Sequence, residues 1–201
     1  MDLQLTDRVF LLTGAARGLG RATADVLVAE GARVVISGRD PASLDGAVAE
    51  LGDRAVGVAG DNADPAQAGR MVDAAFDTWD RLDGALVSVG GPPANSVMDT
   101  TDEEWTAAFG SVFLGAVRIA RTVAERLGQG GSIGFVLSSS VRAPIAGLAI
   151  SNGLRPGLAM VAKTLADELG PRGIHRRRLD PSVGACRMDD HDLRRISFDQ
   201  P

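Results

Sequence analysis

Tyrosine does not occur anywhere in the 201 residues, so no phenolic hydroxyl is available to this chain as an acid or base. Cysteine occurs once, at Cys186, which excludes an intrachain disulfide and fits a reducing compartment. Positive charge does not prevail either. The formal net charge is -5, whereas a general nucleic-acid binder needs a basic surface to displace counterions from phosphates. A small molecule is therefore the expected partner, and a nucleic acid is not. The opening stretch MDLQLTDRVFLLTG sets acidic residues before a short apolar run, which matches neither a secretory signal nor a membrane span. A cytoplasmic protein without a membrane partner is expected. Internal repeats, low-complexity tracts and linkers are missing too, and the length suits one α/β domain.

What the chain has is glycine, 25 residues of it, and short apolar runs that alternate with helical patterns. Residues 8–12, 33–37, 55–58, 85–89 and 133–137 read as buried strands. Residues 19–30 place Leu19, Ala22, Val26 and Ala29 on one side at helical spacing and stop at Gly31. Further helices are expected over 65–79, 103–127 and 156–169, the last ended by Gly170 and Pro171. Strand and helix in alternation imply a Rossmann-like, doubly wound parallel sheet in a single domain, because right-handed crossovers cover both faces with helices.

The pattern breaks after Ile174. Where a sixth buried strand is due the chain reads His175-Arg176-Arg177-Arg178-Leu179-Asp180. Burying three adjacent arginines without partners costs several kcal/mol each, so this stretch is expected at the surface or without order, leaving the C-terminal sheet edge incomplete. The boundaries that follow are a dinucleotide-binding domain over 1–174 and an atypical polar tail over 175–201. Cys186, Asp189, Asp190 and His191 form the one group of metal-capable side chains, but their spacing matches no zinc pattern and no metal is expected.

Thr13-Gly14-Ala15-Ala16-Arg17-Gly18-Leu19-Gly20 follows a strand and opens a helix. Glycines there turn tightly while backbone N–H groups and the helix N-terminus face a pyrophosphate, so Gly14, Arg17, Gly18, Leu19 and Gly20 are the expected cofactor-binding residues. An acidic residue at the end of the second strand would bind the ribose 2′-hydroxyl of NAD, but Arg39 follows Gly38 there. Arg39, helped by Arg17, suits a 2′-phosphate and so favours NADP; the neighbouring Asp40 leaves NAD open. For both arginines the alternative is a solvated surface charge.

This spacing, with Gly31, Asp61 and the later strands and helices in order, resembles the short-chain dehydrogenase/reductase superfamily over residues 1–174. The stretch Ala162-Lys163-Thr164-Leu165-Ala166-Asp167-Glu168-Leu169, through Arg172-Gly173-Ile174, is similar to the bacterial 3-oxoacyl-acyl-carrier-protein reductases. The resemblance implies that Asp61 and Asn62 sit beside the adenine. It sets Ser88 and Gly90, within Ser88-Val89-Gly90-Gly91, where the family has Asn-Asn-Ala-Gly. It leaves a homo-oligomer open.

The resemblance also exposes a gap. The family moves its proton with a tyrosine, assisted by a lysine four residues later, a serine and an asparagine. Ser138 matches the serine, but Ser151 stands at the tyrosine, Arg155 at the lysine and Val112 at the asparagine. A serine hydroxyl is a poor acid and a guanidinium stays protonated, so the usual mechanism is excluded. Ser138 can still donate a hydrogen bond to a substrate carbonyl, and Arg155 can hold a ribose or steady an oxyanion. The plain alternatives are a strand-end hydroxyl for Ser138, a surface charge for Arg155, and a helix cap near Pro156 for Ser151 or Asn152. Two functions follow: an NADP-dependent oxidoreductase of a small carbonyl or alcohol, or a non-catalytic dinucleotide-binding or partner-binding protein. The tail reads as truncated or shifted in frame.

Overall fold

A computed structural model describes residues 3–179. Its six strands are β1 (Val9–Leu12), β2 (Arg33–Gly38), β3 (Ala55–Ala59), β4 (Gly84–Ser88), β5 (Ser132–Val136) and β6 (His175–Leu179). They form one sheet in the order β3-β2-β1-β4-β5-β6, and every neighbouring pair is parallel. The helices are α1 (Gly18–Ala29), α2 (Pro41–Leu51), α3 (Gln67–Trp79), α4 (Asp102–Ala108), α5 (Gly115–Arg126) and α6 (Ala149–Leu169). This is the Rossmann-like arrangement that the alternation of patterns implies.

Side chains of successive strand residues point to opposite faces, and the two cores follow from that alternation. Leu11, Val35, Val87, Ile133 and Phe135 pack with α3, α5 and α6. Leu12, Val34, Ile36, Leu86 and Val136 pack instead with α1 and α2. Strand order runs outward from β1 in both directions, so β1 and β4 flank the point where the crossovers change sides. A crevice opens there at the carboxyl ends of the strands.

Four elements depart from the sequence expectation. Helix α2 was not foreseen, although Asp40 caps it and Pro41 opens it; Leu44, Ala47 and Leu51 form its buried stripe. The helix expected over 103–127 is interrupted by a wider, π-helical turn, Phe109–Leu114, that carries the buried Val112. The stretch Asp102–Arg126 is long and apolar enough to pass for a membrane span, but Ile119, Ala120 and Val123 are core residues of this sheet.

Helix α6 begins at Ala149 and runs through Pro156 rather than starting there. Gly153 and Gly157, on either side of Pro156, admit aromatic rings. A Cβ on Gly153 would lie 2.8 Å from the Trp105 ring and one on Gly157 3.2 Å from Phe113.

The fourth departure is β6. His175–Leu179 pairs with Ser132–Val136, so the backbone ladder of the sheet continues past Ile174 instead of ending there. Backbone pairing needs no apolar side chain, and a strand with a partner on one side tolerates charge that a central strand would not. Among the described residues β6 is the sheet edge; residues 180–201, with the Cys186–His191 group, lie outside the described residues.

Asp83 fastens the strand bases on the side away from the crevice. Its carboxylate accepts the Val9 N–H at 2.8 Å and two Arg81 guanidinium bonds at 2.6 and 2.9 Å. Its own N–H donates to Val9 O, and its carbonyl accepts the Ser132 N–H. Burial pushes the carboxyl up, but the bonds from Arg81 and Val9 and the charges of Arg81 and Arg8 outweigh it, leaving the group below its ordinary value. A depressed carboxylate contributes stability above its unfolded value near 4 and loses it as pH falls through the folded value. Asp83→Asn is expected to destabilise the fold by about 1.5–3 kcal/mol in urea unfolding at pH 7. The gap between variant and parent should shrink as unfolding is repeated toward pH 3.

Candidate functional site

The turn from β1 into α1 is held to the end of β4 by Thr13. Its buried hydroxyl donates to Ser88 O at 2.6 Å and accepts the Ser88 N–H at 2.8 Å. Two of the glycines serve this packing. A Cβ on Gly14 (φ +59°) would stand 3.0 Å from Ser88 O, and one on Gly20 would stand 2.7 Å from Gly14 O. Gly18 differs: its φ is +62° and nothing lies within 4 Å of the Cβ position. That open space is where a ligand can approach the backbone closely.

Helix α1 leaves its first turn free for such a ligand. Arg17 occupies the N-cap position in extended conformation without a side-chain cap, and the first turn contains no acid. By contrast Asp40 caps α2, and Thr101 with Glu104 forms a capping box on α4. An uncapped, acid-free helix start with Gly18, Leu19 and Gly20 in its first turn fits a pyrophosphate through backbone N–H groups and the helix dipole.

Arg39 and Arg17 are both exposed at this rim. The Arg39 guanidinium lies 4.0 Å from Asp61 Oδ2, and its side chain is 74% exposed, so it is free to turn toward an anion. Asp40 is committed to α2: it accepts the Ala42 and Ser43 N–H groups at 3.3 Å and the Ser43 hydroxyl. Those Ser43 bonds hold its carboxyl below the usual range, and the charge of Arg17 adds to the effect. Asp61 Oδ1 accepts the Ala63 N–H at 2.8 Å. The backbone of Asn62 lies against Gly115, where any Cβ would meet Asn62 O at 2.4 Å.

The structure relocates Arg155. It is 94% buried, not a surface charge; Nη1 donates to Val136 O at 2.8 Å, and Nη2 to Val89 O at 3.2 Å and Gly90 O at 3.3 Å. One guanidinium thus spans the carboxyl ends of β4 and β5. No carboxylate pairs with it among the described residues, and Nε has no partner. Burial pushes its pKa down.

The serines form a chain of contacts at the same end. Ser138 Oγ accepts the Ser140 N–H at 3.2 Å, capping the short turn Ser139–Val141. Ser140 Oγ lies 3.2 Å from Ser151 Oγ and donates to Ser151 O at 3.4 Å. Ser151 is buried inside the first turn of α6, so it does not cap that helix. Nor does Asn152: its amide bridges the loop, donating to Ile145 O at 2.8 Å and accepting the Ile145 N–H at 3.0 Å. Sequence reasoning missed Ser140 and Thr13 as site-building residues, although both lie within stretches it singled out. Gly90 and Gly91 have open space at their Cβ positions.

The clamp yields a direct test. Arg155→Met leaves three strand-end carbonyls without their donor. It should lower stability by about 1–3 kcal/mol, read from denaturant unfolding. Arg155→Lys should recover only part of this, because one ammonium cannot reproduce the guanidinium fork.

A family model described as Enoyl-(Acyl carrier protein) reductase matches residues 14–188. The L-rhamnose 1-dehydrogenase (NAD(P)(+)) of Azotobacter vinelandii is 31% identical over 199 residues, which cover 94% of this chain and 78% of that protein. Among solved structures, 3-ketoacyl-(acyl-carrier-protein) reductase from Brucella melitensis, complexed with NADH, superposes with a TM-score of 0.83 at 29% identity. It covers 90% of this chain and 77% of its own. A short chain dehydrogenase from Burkholderia cenocepacia J2315, in complex with NADP, gives a TM-score of 0.80 at 31% identity, covering 85% and 71%. With the uncapped glycine turn, the sheet order and these matches together, the chain belongs to the short-chain dehydrogenase/reductase superfamily of NAD(P)-dependent oxidoreductases.

Proposed function

We propose that the protein is an NADP-preferring oxidoreductase of a small carbonyl or alcohol substrate, acting in the cytoplasm, in which Ser138, Ser151 and Arg155 stand in for the family's serine, tyrosine and lysine. The observation that carries this reading is the β1–α1 turn, with its open Gly18, its uncapped helix start and the exposed Arg39 beside it. Gly14, Arg17, Gly18, Leu19 and Gly20 hold the pyrophosphate. Arg39 takes the 2′-phosphate, with Asp61 and Asn62 toward the adenine and Ser88 and Gly90 along the floor of the crevice. A nicotinamide cofactor supplies or accepts hydride when bound there.

The protein's own share is orientation and hydrogen bonding. Ser138 Oγ accepts a backbone N–H, which directs one lone pair inward and leaves its own hydrogen free to donate to a substrate oxygen. Arg155 acts by fixing the ends of β4 and β5, on which Ser138 and Gly90 depend, and holds a permanent positive charge at the carboxyl ends of those strands. Ser151, joined to Ser140, supports the loop after β5 from α6. With no phenol available, the proton comes from water, to which a serine hydroxyl can hand on a hydrogen bond.

Calorimetric titration tests the cofactor half: NADPH should bind more tightly than NADH, and Arg39→Ala should weaken NADPH about tenfold or more while leaving NADH within about twofold. Substrate-dependent NADPH oxidation tests the chemical half. There Ser138→Ala should lower kcat/KM by about a hundredfold, the scale of one lost donor to a developing oxyanion. Binding of neither cofactor would defeat the proposal.

A further inference from the structure

Gln67, the first residue of α3, is wholly buried although its side chain is polar. Burying an amide costs free energy unless its atoms are bonded, and both ends of this one are: Nε2 donates to Val58 O at 3.2 Å, and Oε1 accepts from the Arg70 guanidinium. A methionine would fill the same space without that requirement, so packing alone does not account for an amide here.

What the amide holds is Gly60. The φ of Gly60 is +156°, and a Cβ there would stand 2.1 Å from Gln67 Oε1 and 3.0 Å from Nε2, so the amide lies directly on this backbone. The Gly60 N–H in turn donates to Gly38 O at 3.0 Å. Gly38 immediately precedes Arg39, and Gly60 immediately precedes Asp61. One backbone bond, backed by the Gln67 amide, thus sets the spacing of the two strand ends that present these charges. The turn beyond is tied down as well. The Asp64 N–H donates to Asp61 O at 3.0 Å and the Gln67 N–H to Asp64 O at 3.1 Å. Arg70 binds Asp64 Oδ2 at 2.7 Å while it holds Gln67 Oε1, and Arg118 on α5 donates to Ala63 O at 3.1 Å. Asp61 Oδ1 is engaged by the Ala63 N–H, while Oδ2 faces Arg39 at 4.0 Å.

A 2′-phosphate at this rim is drawn by Arg39 and repelled by Asp61. Its advantage over a 2′-hydroxyl is therefore a difference between opposed interactions, and it depends on how far the carboxylate stands from the guanidinium. We infer that Gln67 is a positioning residue for cofactor choice: its amide, set on Gly60, holds Asp61 back from Arg39 and so favours the dinucleotide that carries a 2′-phosphate. Being buried, Gln67 acts through Gly60 and not by touching the cofactor. The inference rests on the NADP-preferring reading and deepens it.

The test is calorimetric titration of the full chain with NADPH and NADH, in the parent, Gln67→Met, Arg70→Met, Arg39→Ala and the double variant Gln67→Met/Arg39→Ala. Gln67→Met keeps the volume and loses both amide bonds; it should lower the NADPH-to-NADH affinity ratio by about fivefold or more. Arg70→Met, at an exposed position, releases the amide oxygen and should lower the ratio by about threefold, which decides the matter if Gln67→Met does not fold. Added to Arg39→Ala, Gln67→Met should change the ratio by less than about twofold, because no guanidinium is left to guard. A parent that prefers NADPH, with the ratio unchanged in Gln67→Met and Arg70→Met, overturns the inference alone; equal weakening of both cofactors gives that result and marks a merely structural role. An effect of Gln67→Met that persists in full without Arg39 overturns it too. A parent that binds both cofactors alike defeats the NADP-preferring reading and the inference with it.

Discussion

The hydrogen-bond pair between Thr13 and Ser88 is the constraint on which the rest of the site depends. It joins β1 to β4 just where the crossovers change sides, and a crevice exists only if these two strand ends stay in register. Satisfying both the N–H and the carbonyl of Ser88 with one buried hydroxyl leaves no room for a side chain on Gly14, and the turn then brings Gly20 against Gly14. Only Gly18 is left facing open space. The turn enters α1 through Arg17, without a side-chain cap and without an acid in the first turn.

Arg155 extends this logic to the neighbouring strand pair. A lysine at its position would offer a single ammonium on a flexible stem; the guanidinium instead reaches one carbonyl at the end of β5 and two just beyond β4 at once. Three neutral carbonyl dipoles take the place of a counter-ion, and the cation loses solvent on all sides, as its depressed pKa reflects. The fixed charge and the clamp are thus the same side chain, so strand geometry and site electrostatics cannot vary independently here.

How far the sequence carries this structure depends on whether a signal is local. The Gly-rich turn, the five apolar strands and the amphipathic α1 were legible because each is written in contiguous residues. Helix α2 is equally local, with Asp40 and Pro41 at its start and Leu44, Ala47 and Leu51 as its buried stripe. The start of α6 differs because Pro156, which suits a first turn, lies inside the helix instead, where Gly153 and Gly157 receive rings from α4 and the π-helical turn more than 40 residues away. Strand β6 was hidden by His175-Arg176-Arg177-Arg178, since side-chain polarity says nothing of a backbone ladder with one partner. Burial of Arg155 was likewise unreadable: only the folded chain shows that three carbonyls converge on one position.

Ser151 belongs to the same set of supports. A phenol must project into the crevice to act, but Ser151 is short, buried and turned to Ser140, where it braces the loop that presents Ser138. Ser138 Oγ in turn accepts the Ser140 N–H, so the two ends of this loop are tied together. Under the function proposed above, such a site would stabilise charge through oriented dipoles and a permanent cation, without a group that titrates near neutrality. A site built this way depends on geometry at every point, which is why its supports, Thr13, Ser140, Asn152 and Arg155, are each tied to backbone atoms of another loop or strand end.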